Sequence, residues 1–124
     1  MNAKMILATA LLAGCAAPPP GVEQQGPPIE LAGRTAGRTT ACVPLREGES
    51  LRVSENNQHM LIYGNGRTIF ANYLGQCRID PNDLLVTLPS AGSYCRGDVV
   101  KTVDRSGGIP GPVCILGDFV PYTL

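Results

Sequence analysis

Glycine and proline divide the chain between residues 40 and 124 into short apolar runs, and this pattern limits what the chain can fold into. Turn-forming residues recur about every ten to fifteen positions, and no segment shows the 3.6-residue period of a helix of ordinary length. The pattern predicts an all-β domain, a small antiparallel barrel or sandwich of about six to seven strands. The predicted strands cover residues 50–54, 60–63, 68–74, 84–88, 98–103 and 113–120.

One predicted pair of strands is joined by the short segment Gly64-Asn65-Gly66. Asn-Gly is the favoured pair for a two-residue type I′ turn, because both of its central residues need positive φ. The sequence therefore predicts a β-hairpin with Asn65 and Gly66 at its tip.

The first 14 residues have the composition of a secretory signal. Lys4 precedes an apolar segment, residues 5–12, that is shorter than the roughly 20 residues needed to span a bilayer. Leu12-Ala13-Gly14-Cys15 resembles the lipobox of bacterial lipoproteins, which are cleaved before a cysteine that carries diacylglycerol. We predict a signal peptide over residues 1–14 and acylation of Cys15, with an ordinary secreted protein cleaved nearby as the alternative.

Residues 15–40 have the composition of a disordered tether. Proline and glycine recur in Pro18-Pro19-Pro20 and Gly26-Pro27-Pro28, and no apolar period offsets the ordering entropy. Two or more acyl chains would hold such a tether firmly on a membrane. The lipoprotein resemblance implies the periplasmic side of a bacterial outer membrane, because Ala16 and not aspartate follows the cysteine. The β domain is predicted over residues 41–124.

Four further cysteines, Cys42, Cys77, Cys95 and Cys114, lie in the predicted β domain. An even number of cysteines in a small secreted domain predicts two disulfides, and four cysteines allow three pairings. We prefer a nested arrangement, with Cys77–Cys95 inside Cys42–Cys114, because it ties the two ends of the domain together. A zinc site is the alternative, but the chain has no Cys-x-x-Cys pair.

The charge of the chain is nearly balanced, with 10 Lys+Arg and 10 Asp+Glu. Removal of residues 1–14 takes away only Lys4, which leaves a formal charge of −1. Because no block of like charge supplies a strong field, nucleic acid is not an expected partner.

Cys42 is followed by Asn72-Tyr73-Leu74 before Cys77, then by Cys95-Arg96-Gly97-Asp98, and last by Cys114-Ile115-Leu116-Gly117-Asp118-Phe119-Val120-Pro121. This order of motifs resembles the small bacterial envelope proteins grouped as the DUF6491 family. The resemblance covers residues 42–121, and Arg78-Ile79-Asp80 departs from it, since the family pattern has proline and glycine there. It implies an envelope location and a β domain, and it implies no activity and no catalytic residue.

The sequence shows no pairing of a nucleophile with a general base that hydrolysis would need. His59 is the only histidine, and its polar neighbours Asn56-Asn57-Gln58 predict an exposed turn. Ser90, Ser93 and Ser106 lie in turn-rich sequence without the Gly-x-Ser-x-Gly spacing of a nucleophile elbow. We therefore predict no catalytic residue and no cofactor.

The carboxylate pairs Glu47/Glu49 and Asp80/Asp83 lack the ligand rhythm of a calcium loop. We expect Asp80 to cap a turn and predict no metal site. Arg96-Gly97-Asp98 spells the tripeptide of integrin ligands, and we expect it to be a strand-entry turn in which Asp98 accepts backbone N–H groups.

The function predicted from these observations is a non-enzymatic accessory or interaction module of the cell envelope. We expect its edge strands to contact another envelope protein. The alternative is a mini-barrel for a small apolar molecule or a glycan, with Tyr63, Phe70 and Phe119 facing the ligand. The small interior of such a barrel counts against the alternative.

Overall fold

The computed structural model describes Gly14, residues 26–89 and residues 91–124. In these residues every strand pair is antiparallel, which confirms the predicted all-β antiparallel fold. The predicted signal peptide, apart from Gly14, and the predicted lipidation site Cys15 lie outside the described residues. The elements are a 3-10 helix (Ile29–Leu31) and the strands β1 (Thr35–Ala36), β2 (Cys42–Pro44), β3 (Arg52–Ser54), β4 (Asn57–Tyr63), β5 (Thr68–Tyr73), β6 (Leu84–Thr87), β7 (Ser93–Cys95), β8 (Val99–Val103), β9 (Pro110–Ile115) and β10 (Phe119–Thr123).

The ten strands of the described residues form three sheets. One has five strands in the order β1-β10-β5-β4-β3, one pairs β2 with β7, and one has three strands in the order β6-β8-β9. More strands occur than predicted because β1, β2 and β7 are pieces of only two or three residues. The segment 113–120, predicted as one strand, is two strands because the chain passes from the three-stranded to the five-stranded sheet between them.

The hydrophobic core lies between the five-stranded sheet and the two smaller sheets. Leu61, Tyr63 and Phe119 reach it from the five-stranded sheet, and Val100 and Cys114 reach it from the three-stranded sheet. All five side chains are almost fully removed from water. Burial of these apolar side chains is the main stabilising contribution in a domain of this size.

A buried asparagine joins the two larger sheets. The Asn72 side chain on β5 donates through Nδ2 to the Gly117 carbonyl at 2.8 Å, and its Oδ1 accepts from the Gly117 N–H at 2.8 Å. Asn72 is fully buried. Glycine is needed at the other end of this clamp, because a Cβ at Gly117 would lie 3.0 Å from the Tyr73 carbonyl oxygen. The clamp fixes the connection between β9 and β10.

The four cysteines of the domain form two disulfides, as predicted, but the preferred pairing is wrong. The bonds join Cys42 to Cys95 and Cys77 to Cys114. Cys42 and Cys95 face each other across the β2–β7 ladder, with their Cα atoms 4.0 Å apart. The nested arrangement failed because it depended on order along the chain, whereas the pairing depends on which strands are neighbours.

The hairpin of β4 and β5 is confirmed, but its turn lies one residue later than predicted. Tyr63 pairs with Phe70, and continuation of this register places Gly66 and Arg67 at the tip. Gly66 has φ +77°, whereas Asn65 has no positive φ. The predicted type I′ turn at Asn65-Gly66 is therefore wrong, because both of its central residues would need positive φ.

The folded domain begins before residue 41, so the predicted boundary of the tether is too late. Leu31 of the 3-10 helix packs against the outer surface of the five-stranded sheet. The Glu30 carboxylate accepts from the Ser54 hydroxyl at 2.7 Å, and the Arg34 guanidinium donates to the Gly66 carbonyl at 2.6 Å. Residues 26–36 thus form a strap that is bound to the sheet at both ends, and only the section 15–25 of the predicted tether lies outside the described residues.

Candidate functional site

The outer surface of the three-stranded sheet consists almost entirely of aliphatic side chains. Along β8, Val100 and Thr102 are buried while Val99 and Lys101 are exposed, as the period of a strand requires. The neighbouring strands repeat this alternation, so their outward residues share one surface. We call this surface the aliphatic face; its residues are Leu84, Val86, Leu88, Val99, Lys101, Val103, Val113 and Ile115.

The strand register brings the side chains of the aliphatic face into contact distance. Lys101 lies in the central row, directly between Val86 on β6 and Val113 on β9. Val99 is likewise opposite Ile115 in the adjacent row. Because side chains directly opposite in an antiparallel pair are about 5 Å apart, the face is a continuous surface with one cation near its centre.

This face is unusually exposed for its composition. Leu88 is 81 % exposed, Ile115 61 % and Val113 59 %. Together the aliphatic residues present roughly 600 Å² to solvent, at the upper end of the largest patch on a typical soluble monomer. The largest apolar patch of a soluble protein is often functional, which makes this face the candidate site.

A groove runs along one end of the aliphatic face. Its volume is about 360 Å³. Asp98, which directly precedes β8, and Lys101 are both lining residues, but the Asp98 carboxylate is bound to the Cys95 N–H. The other lining residues are Val86, Leu88, Gly97 and Val99.

The Arg96-Gly97-Asp98 segment is the strand-entry turn that was predicted. The Asp98 carboxylate accepts from the Cys95 N–H at 2.8 Å, and the Asp98 N–H donates to the Cys95 carbonyl at 3.0 Å. Gly97 has φ +91°, which a side chain would disfavour. Arg96 forms an exposed ion pair with Asp118 at 3.0 Å. The tripeptide thus forms the turn that begins β8.

The loop between β8 and β9 borders the opposite end of the face. The Asp104 carboxylate accepts from the Ser106 hydroxyl at 2.7 Å, from the Ser106 N–H at 2.6 Å and from the Gly107 N–H at 3.3 Å. The bond from the Ser106 hydroxyl is the main reason that the pKa of Asp104 lies below its usual range, and the backbone bonds act in the same direction. These bonds to the ionised form hold the loop in one conformation.

The three aromatic residues predicted to face a ligand do not form a site. Tyr63 and Phe119 are fully buried in the core, and Phe70 is half-buried against it. The Tyr63 hydroxyl donates to the Pro44 carbonyl at 3.0 Å, and its ring packs edge-on against the Tyr94 ring at 5.4 Å. The prediction is wrong because strand alternation turns Tyr63 and Phe119 inward, where they fill the space between the sheets.

His59 lies in strand β4, not in the exposed turn that was predicted. Its ring is half-buried, and Nδ1 donates to the Cys77 carbonyl oxygen at 3.0 Å, which requires a proton on Nδ1. The Leu74 N–H donates to the His59 carbonyl at 2.8 Å. These bonds hold the segment that carries Cys77 against β4, so the histidine has a structural role.

Asp80 caps a turn, as predicted, because its Oδ1 accepts from the Asn82 N–H at 2.8 Å. In the described part of the chain, His, Cys, Asp and Glu side chains nowhere gather in a group of three that could hold a metal ion. Of the serines considered as nucleophiles, Ser90 lies outside the described residues, and Ser106 belongs to the Asp104 turn. Residues 26–89 and 91–124 contain no helix of the length and apolarity needed to cross a bilayer.

The aliphatic face was missed by sequence reasoning, although a signal for it exists. Val99-Val100 places apolar side chains on both sides of β8, and Val113-Cys114-Ile115 does the same on β9. A strand with one solvated surface alternates between apolar and polar residues, whereas a strand covered on both sides is apolar throughout. The second apolar surface of β8 and β9 therefore indicates a covering that residues 26–89 and 91–124 do not provide.

Comparisons with protein-family models, with curated proteins and with solved structures find no match for this chain. The resemblance to the DUF6491 family accordingly stays a prediction. The residues that carry it have structural roles here, since Asn72 clamps Gly117 and Asp98 caps the Cys95 turn.

Proposed function

We propose that this protein is a non-enzymatic interaction module of the bacterial cell envelope. It is held by acyl chains on Cys15 at the periplasmic side of the outer membrane and binds another protein surface through the aliphatic face. The observation that carries the proposal is the extent of that face. Covering roughly 600 Å² of apolar surface offers about 15 kcal/mol before the costs of association are subtracted.

The surface of the three-stranded sheet is a better docking site than its β9 edge. Edge strand β9 contains Pro110 and Pro112, which have no N–H to donate to an added strand. Proline on an edge strand is a common protection against edge-to-edge pairing. We therefore propose that the partner contacts the face of the sheet, where Val113 and Ile115 are exposed, and not the edge strands.

The tether and the strap suit a docking module. If Cys15 carries the lipid, residues 16–25 separate it from the strap, a span of roughly 35 Å when fully extended. The strap is bound to the five-stranded sheet, on the side of the core opposite the aliphatic face. An anchored domain can therefore turn this face toward a neighbour while it stays close to the membrane.

The proposal is tested by chemical crosslinking of the tagged full-length chain in intact envelopes, followed by purification and mass spectrometry. We expect a reproducible set of crosslinked proteins that is lost with Val113→Lys, because a charge in the covered face is costly. Asn65→Lys, on the exposed loop of the other sheet, is the matched control and should retain the set. Identical sets from both variants would refute the docking role of the face.

The anchor is tested separately with Cys15→Ser. The unmodified chain should sediment with the membranes, and the variant should appear in the soluble periplasmic fraction. An unchanged membrane fraction for the variant would refute lipidation at this residue without bearing on the aliphatic face.

A further inference from the structure

We propose that the Cys42–Cys95 disulfide is an exchange site, at which a dithiol of another protein reduces the bond while the domain stays folded. This inference goes beyond the proposed function and does not depend on the aliphatic face. Its support comes from the exposure of this bond, from the contrast with the second disulfide, and from the contacts that hold its two strands together.

The strand pattern places the Cys42–Cys95 bond on the outside of the domain. Val43 and Tyr94, which face each other in the same ladder, are buried in the core. Because successive side chains point to opposite surfaces of a sheet, the neighbouring cysteines point outward. Cys42 is exposed and Cys95 is half-buried. A thiolate in solution can therefore reach this bond without any opening of the core.

The second disulfide differs from the first in its surroundings. Cys114 is buried in the core, and Cys77 packs against the same core cluster. Exposed disulfides are the labile, regulatory or catalytic ones, whereas structural disulfides resist reduction. The domain thus holds one bond of each kind, and Cys77–Cys114 serves as an internal reference for the reactivity of Cys42–Cys95.

Backbone contacts hold the two strands together on both sides of the exposed bond. On one side the Arg96 N–H donates to the Ala41 carbonyl at 2.6 Å, and on the other the Leu45 N–H donates to the Gly92 carbonyl at 2.9 Å. The buried Tyr63 hydroxyl also donates to a carbonyl of β2 at 3.0 Å. Since none of these contacts involves a sulfur atom, the two thiols of the reduced form stay opposite each other and the bond can form again.

The exchange transfers two electrons to the chain. A thiolate of the dithiol attacks Sγ of Cys42, the more exposed residue, and Cys95 leaves as a thiolate that takes up a proton. The second thiol of the dithiol loses its proton and attacks the sulfur of its own partner in the mixed disulfide, so that Cys42 leaves in turn. The chain ends with two thiols and the other protein with a disulfide, and the reverse steps restore the bond.

The test uses the oxidised full-length chain, after free thiols are blocked with N-ethylmaleimide. Dithiothreitol is the first probe, and iodoacetamide alkylation followed by peptide mass spectrometry measures the reduction of each bond over time. We expect Cys42–Cys95 to be reduced at least tenfold faster than Cys77–Cys114. The far-UV circular dichroism should be retained when only the faster bond is open.

A thioredoxin whose resolving cysteine is replaced by serine is the second probe, because it cannot complete the exchange and stays attached to the sulfur that it attacks. We expect a mixed disulfide with Cys42. The double variant Cys42→Ser/Cys95→Ser should give no such product. The matched variant Cys77→Ala/Cys114→Ala, which loses the other bond, should give the product at a rate within about threefold of the unchanged chain.

Three results would overturn the inference. Equal rates of reduction for the two bonds would show that exposure does not set their reactivity. A mixed disulfide at Cys77 or Cys114 in place of Cys42 would assign the exchange to the other bond. Loss of the circular dichroism on opening of Cys42–Cys95 alone would show that this bond is needed to keep the domain folded. None of these results bears on the aliphatic face, so the proposed function is tested separately.

Discussion

Replacement of Asn72 by alanine should destabilise the domain by about 2–4 kcal/mol. The change removes both hydrogen bonds to Gly117 and leaves a buried N–H and a buried carbonyl without partners. Each lost hydrogen bond costs about 0.5–1.5 kcal/mol of stability, and the desolvation penalty of the two groups left without partners adds to this cost. For a domain of this size, the melting temperature should fall by about 8–30 °C.

Asn72→Asp makes the same clamp sensitive to pH. One carboxylate oxygen still accepts from the Gly117 N–H, but the other faces the Gly117 carbonyl oxygen and repels it. Only the protonated acid can donate to that carbonyl, so the folded protein should raise the pKa of this group above its unfolded value. The destabilisation caused by Asn72→Asp is therefore small below the pKa that the new carboxyl group has in the unfolded chain, and it grows as pH rises through the pKa of that group in the folded protein. A rise of about two units corresponds to about 2.7 kcal/mol.

The assay is urea unfolding of the oxidised protein at pH 3.5 and pH 7, with Asn65→Asp as the matched control on an exposed loop. The control should differ from the unchanged protein by less than about 0.5 kcal/mol at both pH values. Asn72→Asp should be more strongly destabilised at pH 7 than at pH 3.5. Equal destabilisation at the two pH values, or a cost under about 0.5 kcal/mol for Asn72→Ala, would refute the clamp.

Three further predictions concern the domain that supports the aliphatic face. Double replacement of Cys77 and Cys114 by alanine should lower the free energy of unfolding in urea by about 3–4 kcal/mol, because the disulfide closes a loop with a sequence separation of 37. Peptide mapping that joins either cysteine to Cys42 would contradict the pairing. Tyr63→Phe should cost about 1–2 kcal/mol in the same assay because two hydrogen bonds of the buried hydroxyl are lost, and an unchanged unfolding midpoint would contradict their contribution. Because the pKa of Asp104 is lowered in the folded protein, its ionised carboxylate should stabilise the fold above the usual pKa of aspartate, and this stabilisation should be lost as pH falls through the lowered pKa. The urea unfolding midpoints of Asp104→Asn and of the unchanged protein should therefore differ at neutral pH and converge in acid. A difference between the midpoints that persists in acid would contradict this prediction.

Local patterns predicted the strands well because they depend on neighbours in the chain. Alternation and glycine punctuation located β4, β5, β6 and β8, and they predicted a hairpin with its turn at residues 64–66, one residue from the observed turn. The turn of that hairpin could not be derived, since the register depends on packing of Tyr63 into the core. The capping role of Asp98 was also predicted correctly, because it involves residues only three positions apart.

Contacts between distant parts of the chain escaped sequence reasoning. The partner of Cys42 depends on the pairing of β2 with β7, and neither three-residue strand has a pattern of its own. The strap at residues 26–36 looked like a linker because side-chain bonds to distant backbone groups, such as those of Arg34, hold it to the sheet. Prediction of the aliphatic face would have required knowledge of which side of β8 points to the core.

The most direct test of the account is carbene footprinting of the chain in intact envelopes, compared with the released Cys15→Ser protein at a concentration low enough to keep it monomeric. Carbenes label aliphatic side chains that are exposed to solvent, so a covered side chain loses its label whatever the identity of the molecule that covers it. The account predicts that labelling of the peptide containing Val113 and Ile115 falls at least threefold in envelopes, while labelling around Asn65 stays the same. Equal labelling of the Val113 peptide in both samples would show the face uncovered in its native setting and would contradict the central claim.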